Sequence, residues 1–346
     1  MLGILAAGGL AFVVGVVGMS WLIEVLRARG VVQPIHDALT HHASKSGTPT
    51  MGGIALSILA PAAYVVGSVI AGARPSGQGL TLLAAVAAGG VVGAVDDFLK
   101  VTRGRNTLGL RERQKTVLLL LVGTLVVATS GSSACHAPSA ARCGPLPDIG
   151  LWPWAIWVVA LIWLTANSVN FTDGLDGLLA GCSVPPLVLL AAIAYWQHRH
   201  PTIYGTDHAL QIAIVLAALA GGCLALLWWN AAPAKVFIGD TGSLAIGVAI
   251  AVASIRLNVE LLIPVFGAVY VAEGLSSLAQ RTWFKATRRW RRDRQPQRLL
   301  RMAPIHNHFE MVDWPETHIV IRFWILSATA SGLAGAIFYA DAVRLV

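Results

Sequence analysis

An all-α integral membrane protein of about ten transmembrane helices is what this sequence predicts, and three observations carry it. Of its residues, 56% are hydrophobic and only 12% are charged, against roughly a quarter charged in soluble domains. The apolar residues gather into ten stretches long enough, or nearly so, to cross a hydrocarbon core of about 30 Å as helices. The lysines and arginines concentrate in alternate connections between them. Closed β-barrels, the other architecture that satisfies every backbone polar group in lipid, alternate apolar and polar residues and do not run continuously apolar.

The first stretch, 2–24, lacks a basic segment before it and a small-residue cleavage site after it, so it reads as a retained helix rather than a signal peptide. The second, 52–73, opens on a Gly-Thr-Pro turn that suits a helix start. The third, 80–98, ends in two acids. The fourth, 116–130, is short and must extend past Ser130 or begin before Thr116. The fifth, 151–168, and the sixth, 178–196, flank a run of Asn, Asp and Gly. The seventh, 209–230, is apolar throughout, and the eighth, 236–256, opens on Gly-Asp-Thr-Gly-Ser. The ninth, 258–281, leads into an arginine-rich run, and the tenth, 319–340, completes the set. One membrane domain over 1–346 accounts for the chain, with no linker to divide it and no internal repeat.

The first, third, fifth, seventh and ninth connections hold 19 of the 25 basic residues. By the positive-inside rule these connections face the cytoplasm and both termini face out. The net charge of +8 therefore marks a basic inner face, suited to anionic lipid headgroups and phosphates rather than nucleic acid. Cys182 and Cys223 lie in apolar segments as small packing residues. Cys135 and Cys143 share an outer connection, where an oxidising compartment would permit a disulfide.

Five polar clusters sit at helix ends on that inner face. An aspartate at a membrane-helix centre costs about 2.5–3.5 kcal/mol on insertion scales, so acids at these borders need a reason. Asp96 and Asp97 are adjacent carboxylates that repel; one can act as a base, or both can be held by a cation, while an Asp96–Lys100 pair at a helix end is the plainer alternative. Asn167, Asn170, Asp173 and Asp176 recur every three residues and supply hard oxygen ligands beside flexible glycines, a Mg²⁺-like set rather than a zinc site, although capping and turn formation also use these residue types. Gly239-Asp240-Thr-Gly-Ser243 opens a helix whose free N–H groups suit a phosphate, with Asp240 either bridging to a divalent cation or serving as a cap. Lys45 precedes the 48–53 turn, where a lysine can hold a phosphate, although Gly-Thr-Pro before a helix is also ordinary entry chemistry. His306 and His308 follow an arginine run and suit hydrogen bonding to an anionic substrate better than zinc binding. That run reads mainly as an interfacial anchor.

Together Thr48-Pro-Thr-Met-Gly-Gly53, Asn167-Ser-Val-Asn-Phe-Thr-Asp-Gly-Leu-Asp-Gly177 and Met302-Ala-Pro-Ile-His-Asn-His-Phe-Glu310, with Asp-Asp-x-x-Lys at 96–100 and Gly-Asp-Thr-Gly-Ser at 239–243, resemble the phospho-N-acetylmuramoyl-pentapeptide transferases. These belong to the polyprenyl-phosphate sugar-1-phosphate transferase superfamily, and the matches run in order through all five inner connections. The likeness implies a Mg²⁺-dependent enzyme of the inner cell membrane that moves phospho-MurNAc-pentapeptide from UDP-MurNAc-pentapeptide to undecaprenyl phosphate. The products would be lipid I and UMP.

Carried over by motif, the likeness makes Asp240 the Mg²⁺ ligand with Asn170 as helper, and Asp96 the base on the lipid phosphate with Asp97 beside it. Lys45 and Lys115 would hold phosphates. Asp173 and Asp176 would line the nucleotide region, Phe237 would pack on uracil, and His306 and His308 would complete a substrate-binding histidine run. A homodimer is also implied. One departure stands out: the middle histidine of that run is Asn307, which keeps a donor and an acceptor but carries no charge.

Two other readings compete. A transferase using UDP-GlcNAc for another surface polymer would share the acidic core but not the His-x-His-Phe-Glu segment. An ion-coupled transporter would place its acids near the bilayer midplane on broken helices, often with internal repeats; here they lie at helix ends on one face.

Overall fold

The computed structural model describes residues 1–32, 47–104, 108–130, 148–205, 208–290 and 296–344. Lys45, Cys135, Cys143, Arg291, Arg292 and Arg294 lie outside them. Among the described residues there is no strand, only an isolated bridge between Val32 and Pro49. A helix stands at each of the ten apolar stretches: α1 (Leu2–Ala28), α2 (Ile54–Ile70), α3 (Gly77–Arg103), α4 (Glu112–Ala128), α5 (Leu151–Phe171), α6 (Leu178–Arg199), α8 (Ala209–Asn230), α9 (Gly239–Arg256), α11 (Ala268–Trp290) and α13 (Glu316–Val343). Short helices α7 (Pro201–Tyr204), α10 (Ile263–Phe266) and α12 (Ile305–Glu310) complete the fold. The chain is a multi-pass membrane protein: among the described residues six helices are long and apolar enough to cross a bilayer, or seven with one bent pair.

The differences from the sequence reading have physical causes. Several helices outrun the apolar stretches, because a nucleated helix extends cheaply into polar residues. The short fourth stretch gains its length before Thr116, where Arg111 N donates to Gln114 Oε1 at 3.0 Å. The ninth stretch is not one continuous helix. A 3₁₀ turn at Glu260–Leu262 and α10 precede α11, and the two halves are bent by 83°. Pro264 in α10 lacks the N–H that a continuing ladder needs, and Gly267 sits at the joint. Hydropathy sees neither.

Helix α9 is the axis of the bundle, with every residue from Thr241 to Arg256 buried. It packs against α3 and α5, while α8 packs against α1, α6 and α2. Lipid tails compete with apolar side chains on equal terms, so membrane helices associate through close packing of small residues. Gly93 of α3 shows the principle where it matters, since a Cβ there would collide with the Asp240 backbone. That contact brings the end of α3 onto the start of α9. The inner connections are stitched to each other as well: Phe237 N donates to Pro49 O (2.8 Å), Gly52 N to Phe237 O (2.9 Å) and Gly53 N to Ile238 O (3.0 Å).

Candidate active site

The first N–H groups of any helix lack intrahelical partners, and α9 has no side-chain cap of its own. Asp97 of α3 supplies it in trans. Its Oδ1 accepts from Asp240 N (3.1 Å), and its Oδ2 accepts from Thr241 N (2.9 Å) and Thr241 Oγ1 (2.7 Å). Asp97 is 3% exposed and Asp96 1%. Both acids are thus held at a depth where an unpaired charge would be costly.

Two lysines provide the compensation. Lys100 Nζ lies 2.7 Å from Asp96 Oδ2, 3.1 Å from Asp240 Oδ2 and 3.8 Å from Asp97 Oδ1. Lys115 Nζ lies 3.3 Å from Asp96 Oδ2 and forms a short contact with Asp240 Oδ2. Leu110 N adds a bond to Asp96 Oδ1 at 2.6 Å. Asn170 at the end of α5 orients the third acid, its Nδ2 donating to Asp240 Oδ1 (3.0 Å) and Ser243 Oγ (2.7 Å). Sequence reasoning gave Lys100 only a helix-end pairing. Its spacing, three and four residues beyond the two acids, was the available signal for more.

One carboxylate oxygen each from Asp96, Asp97 and Asp240 lie within 4.8 Å of one another. Hard oxygens without thiolate or imidazole fit Mg²⁺ or a similar cation. The ammonium groups already among these oxygens show that the cluster is built around positive charge. It is wider than the Asp240 and Asn170 pair expected to hold metal, since both acids of α3 are in reach.

The turn after α5 carries the next two acids. Asp173 is half-buried beside the Gly239 N–H; burial first, then the charges of Asp240 and Asp97, push its carboxyl up to about 8. Asp176 is buried, its Oδ2 accepting from Ala234 N at 3.0 Å while its own N donates to Glu316 Oε1 at 2.9 Å. Asn230 ties the same region together through Gly177 N (3.0 Å) and Val236 O (2.9 Å). Asp176 therefore braces the segment that leads to Phe237, and the Phe237 ring is half-buried beside it in sequence.

The two histidines separate. His306 is 1% exposed, with Nδ1 3.0 Å from Oε2 of Glu273, an acid of α11 that is itself fully buried and that no sequence motif singled out. His308 is half-buried and its Nδ1 accepts from Arg301 N at 3.2 Å. Nearby, Phe171, Gln280, Arg281, Arg298 and Arg301 help line a cleft of about 480 Å³. Part of the arginine run thus faces this cleft rather than serving only as an anchor. Asn307 is half-buried on the same short helix.

The profile of glycosyl transferase family 4 matches residues 79–258. A phospho-N-acetylmuramoyl-pentapeptide-transferase of Mycobacteroides abscessus is 40% identical, over 98% of this chain and 97% of its own length. Proteins of the same name from Frankia casuarinae and Mycolicibacterium smegmatis are 37% and 39% identical, each over 99% of this chain and 98% of theirs.

Proposed function

This chain belongs to the phospho-N-acetylmuramoyl-pentapeptide-transferase family, and from that premise we propose that it moves phospho-MurNAc-pentapeptide from UDP-MurNAc-pentapeptide to undecaprenyl phosphate. The reaction makes lipid I and UMP at the inner face of the cell membrane, the side to which the basic connections point. The observation that carries this reading is the Asp96–Asp97–Asp240 cluster bridged by Lys100 and Lys115 at helix ends. An oxygen of the lipid phosphate attacks the phosphorus attached to the sugar, the diphosphate bond breaks, and UMP departs with the bridging oxygen. Two anions must meet for this to happen, so charge neutralisation and positioning are what the protein has to supply.

Mg²⁺ held by Asp240, with Asp96 and Asp97 in reach and Asn170 alongside, would neutralise the diphosphate and stabilise the departing phosphate. Lys100, Lys115 and Lys45 supply further positive charge. Asp96 takes any remaining proton from the lipid phosphate, whose second pKa near 6 leaves it largely ionised at neutral pH. Asp173 lies beside Asp176 and Phe237 at the nucleotide. Direct attack is favoured over a phospho-aspartate on Asp96 or Asp97, because a charge-neutralised diphosphate facing an ionised lipid phosphate needs no intermediate. The arrangement of about ten spans with both termini outside, and a homodimeric state, belong to the same reading.

UMP release tests it, using purified protein, undecaprenyl phosphate and either UDP-MurNAc-pentapeptide or UDP-GlcNAc, with Mg²⁺ or with chelator. Turnover is expected on the first donor only, and only with Mg²⁺. Turnover on UDP-GlcNAc alone would move the chain to another branch of the superfamily, and activity in chelator would remove the metal assignment.

A further inference from the structure

Helix α11 passes behind the Asp173–Gly177 turn carrying a buried acid outside every sequence motif. Glu273 is 0% exposed, and its Oε2 meets His306 Nδ1 at 3.0 Å. Its other oxygen, Oε1, has no hydrogen-bond partner among the described residues. A buried carboxylate with one oxygen unpaired is expensive, and an apolar side chain of similar size would join two helices at less cost. Packing alone does not account for it.

The far side of the imidazole supplies the reason. A Cβ placed on Gly174 would collide first with His306 Nε2 and then with the ring carbons flanking it. Gly174 follows Asp173, which lies beside the N–H of Gly239, the residue before Asp240. A line of direct contacts therefore runs from Glu273 through His306 and the turn to the start of α9. With Glu273 as the acceptor of this bond, the imidazole hydrogen facing it sits on Nδ1. In the neutral ring this leaves Nε2 as an acceptor, aimed at the turn. A carboxylate behind an imidazole is a general means of fixing both tautomer and ring orientation.

We propose that Glu273 is a positioning residue of the transferase site, locking His306 in the Nδ1–H tautomer so that Nε2 is presented at the Asp173–Gly174 turn to an N–H or O–H group of the donor substrate. The proposal rests on the transferase reading above. It makes His306 an oriented acceptor, and it makes Glu273 act only through His306.

A double-mutant cycle on UMP release and a spectroscopic readout test it together. Glu273→Ala should lower kcat/KM for the donor about 10- to 100-fold, as loss of a group that orients another does, mostly by raising KM. The same change made on top of His306→Ala should cost nothing further. Glu273→Gln keeps an oxygen that accepts from Nδ1–H and should recover most of the loss. In histidine-¹⁵N-labelled protein, the His306 signal, assigned by its disappearance in His306→Ala, should report the Nδ1–H tautomer in wild type and in Glu273→Gln. Folded Glu273→Ala should lose that signature. Additive losses in the double variant, or an unchanged tautomer in Glu273→Ala, would overturn the proposal. Should Glu273→Ala not fold, Glu273→Gln decides alone: a lost tautomer signal refutes the proposal and a kept one supports it. Wild-type protein that releases no UMP would instead refute the transferase reading, leaving the tautomer result to judge the pair.

Discussion

Asp173 shows how a turn residue acquires chemistry from its surroundings. Its carboxyl is pushed up from 3.8 to about 8, by burial first and then by the charges of Asp240 and Asp97. In the unfolded chain the same group ionises near its ordinary value. Between those two pH values the unfolded state binds fewer protons than the folded one, so this residue lowers stability as pH rises. Metal-free protein in detergent should therefore melt at falling temperature from about pH 5 to pH 8, and Asp173→Asn should flatten the fall while keeping its shape. Equal slopes for the two proteins would show that Asp173 ionises normally. At this scale much of the site was legible in the sequence. Asp96, Asp97, Asp240 and Asn170 stood out because acids and amides at a membrane border are costly, and the structure brings all four together. Glu273 did not stand out, because a single acid inside an amphipathic helix has no local pattern, and its partner lies 33 residues away.

Among the elements, α9 depends most on a neighbour. It begins at Gly239 beside a cluster of acids and is buried from Thr241 onward, yet the groups that satisfy its first turn come from α3. Asp97→Ala would leave the N–H groups of Asp240 and Thr241 and one hydroxyl without partners inside the protein, a loss of about 3 kcal/mol or more at roughly 1–3 kcal/mol for each buried unsatisfied donor. Thr241→Val removes only the hydroxyl and should cost about 1 kcal/mol. Thermal unfolding in one detergent should rank wild type above Thr241→Val and Thr241→Val above Asp97→Ala; an Asp97→Ala protein as stable as wild type would show that α9 does not need this cap. Pairing between helices is what the sequence hid here, since Asp-Asp and Gly-Asp-Thr-Gly-Ser each read as plausible helix ends on their own. The same blindness concealed the 83° bend in the ninth stretch. Hydropathy averages over a window and reports that a segment is apolar, not that it turns.

The whole molecule ties the charge asymmetry to the site. In the proposed ten-span arrangement the ends of α1, α3, α5, α8 and α11 and the starts of α2, α4, α6, α9 and α13 share one side, where the cluster of three acids lies. These connections carry most of the basic residues, so the positive-inside rule predicts that this side faces the cytoplasm, where a water-soluble nucleotide donor would be met. The all-helical membrane fold was legible at this scale because each stretch announces itself by length. What remained illegible was the order of packing around α9, which depends on which small residues meet. The orientation is open to direct measurement. Arg289, exposed at the inner end of α11, and Arg199, exposed at the opposite end of α6, can each be replaced by cysteine after the four native cysteines are removed. A membrane-impermeant thiol reagent added to intact cells should label Arg199→Cys and spare Arg289→Cys until the membrane is opened. Labelling of both from outside would break the alternation of spans. Labelling of Arg289→Cys alone would turn the molecule over, placing the acidic cluster away from any cytoplasmic donor and removing the transferase reading with it.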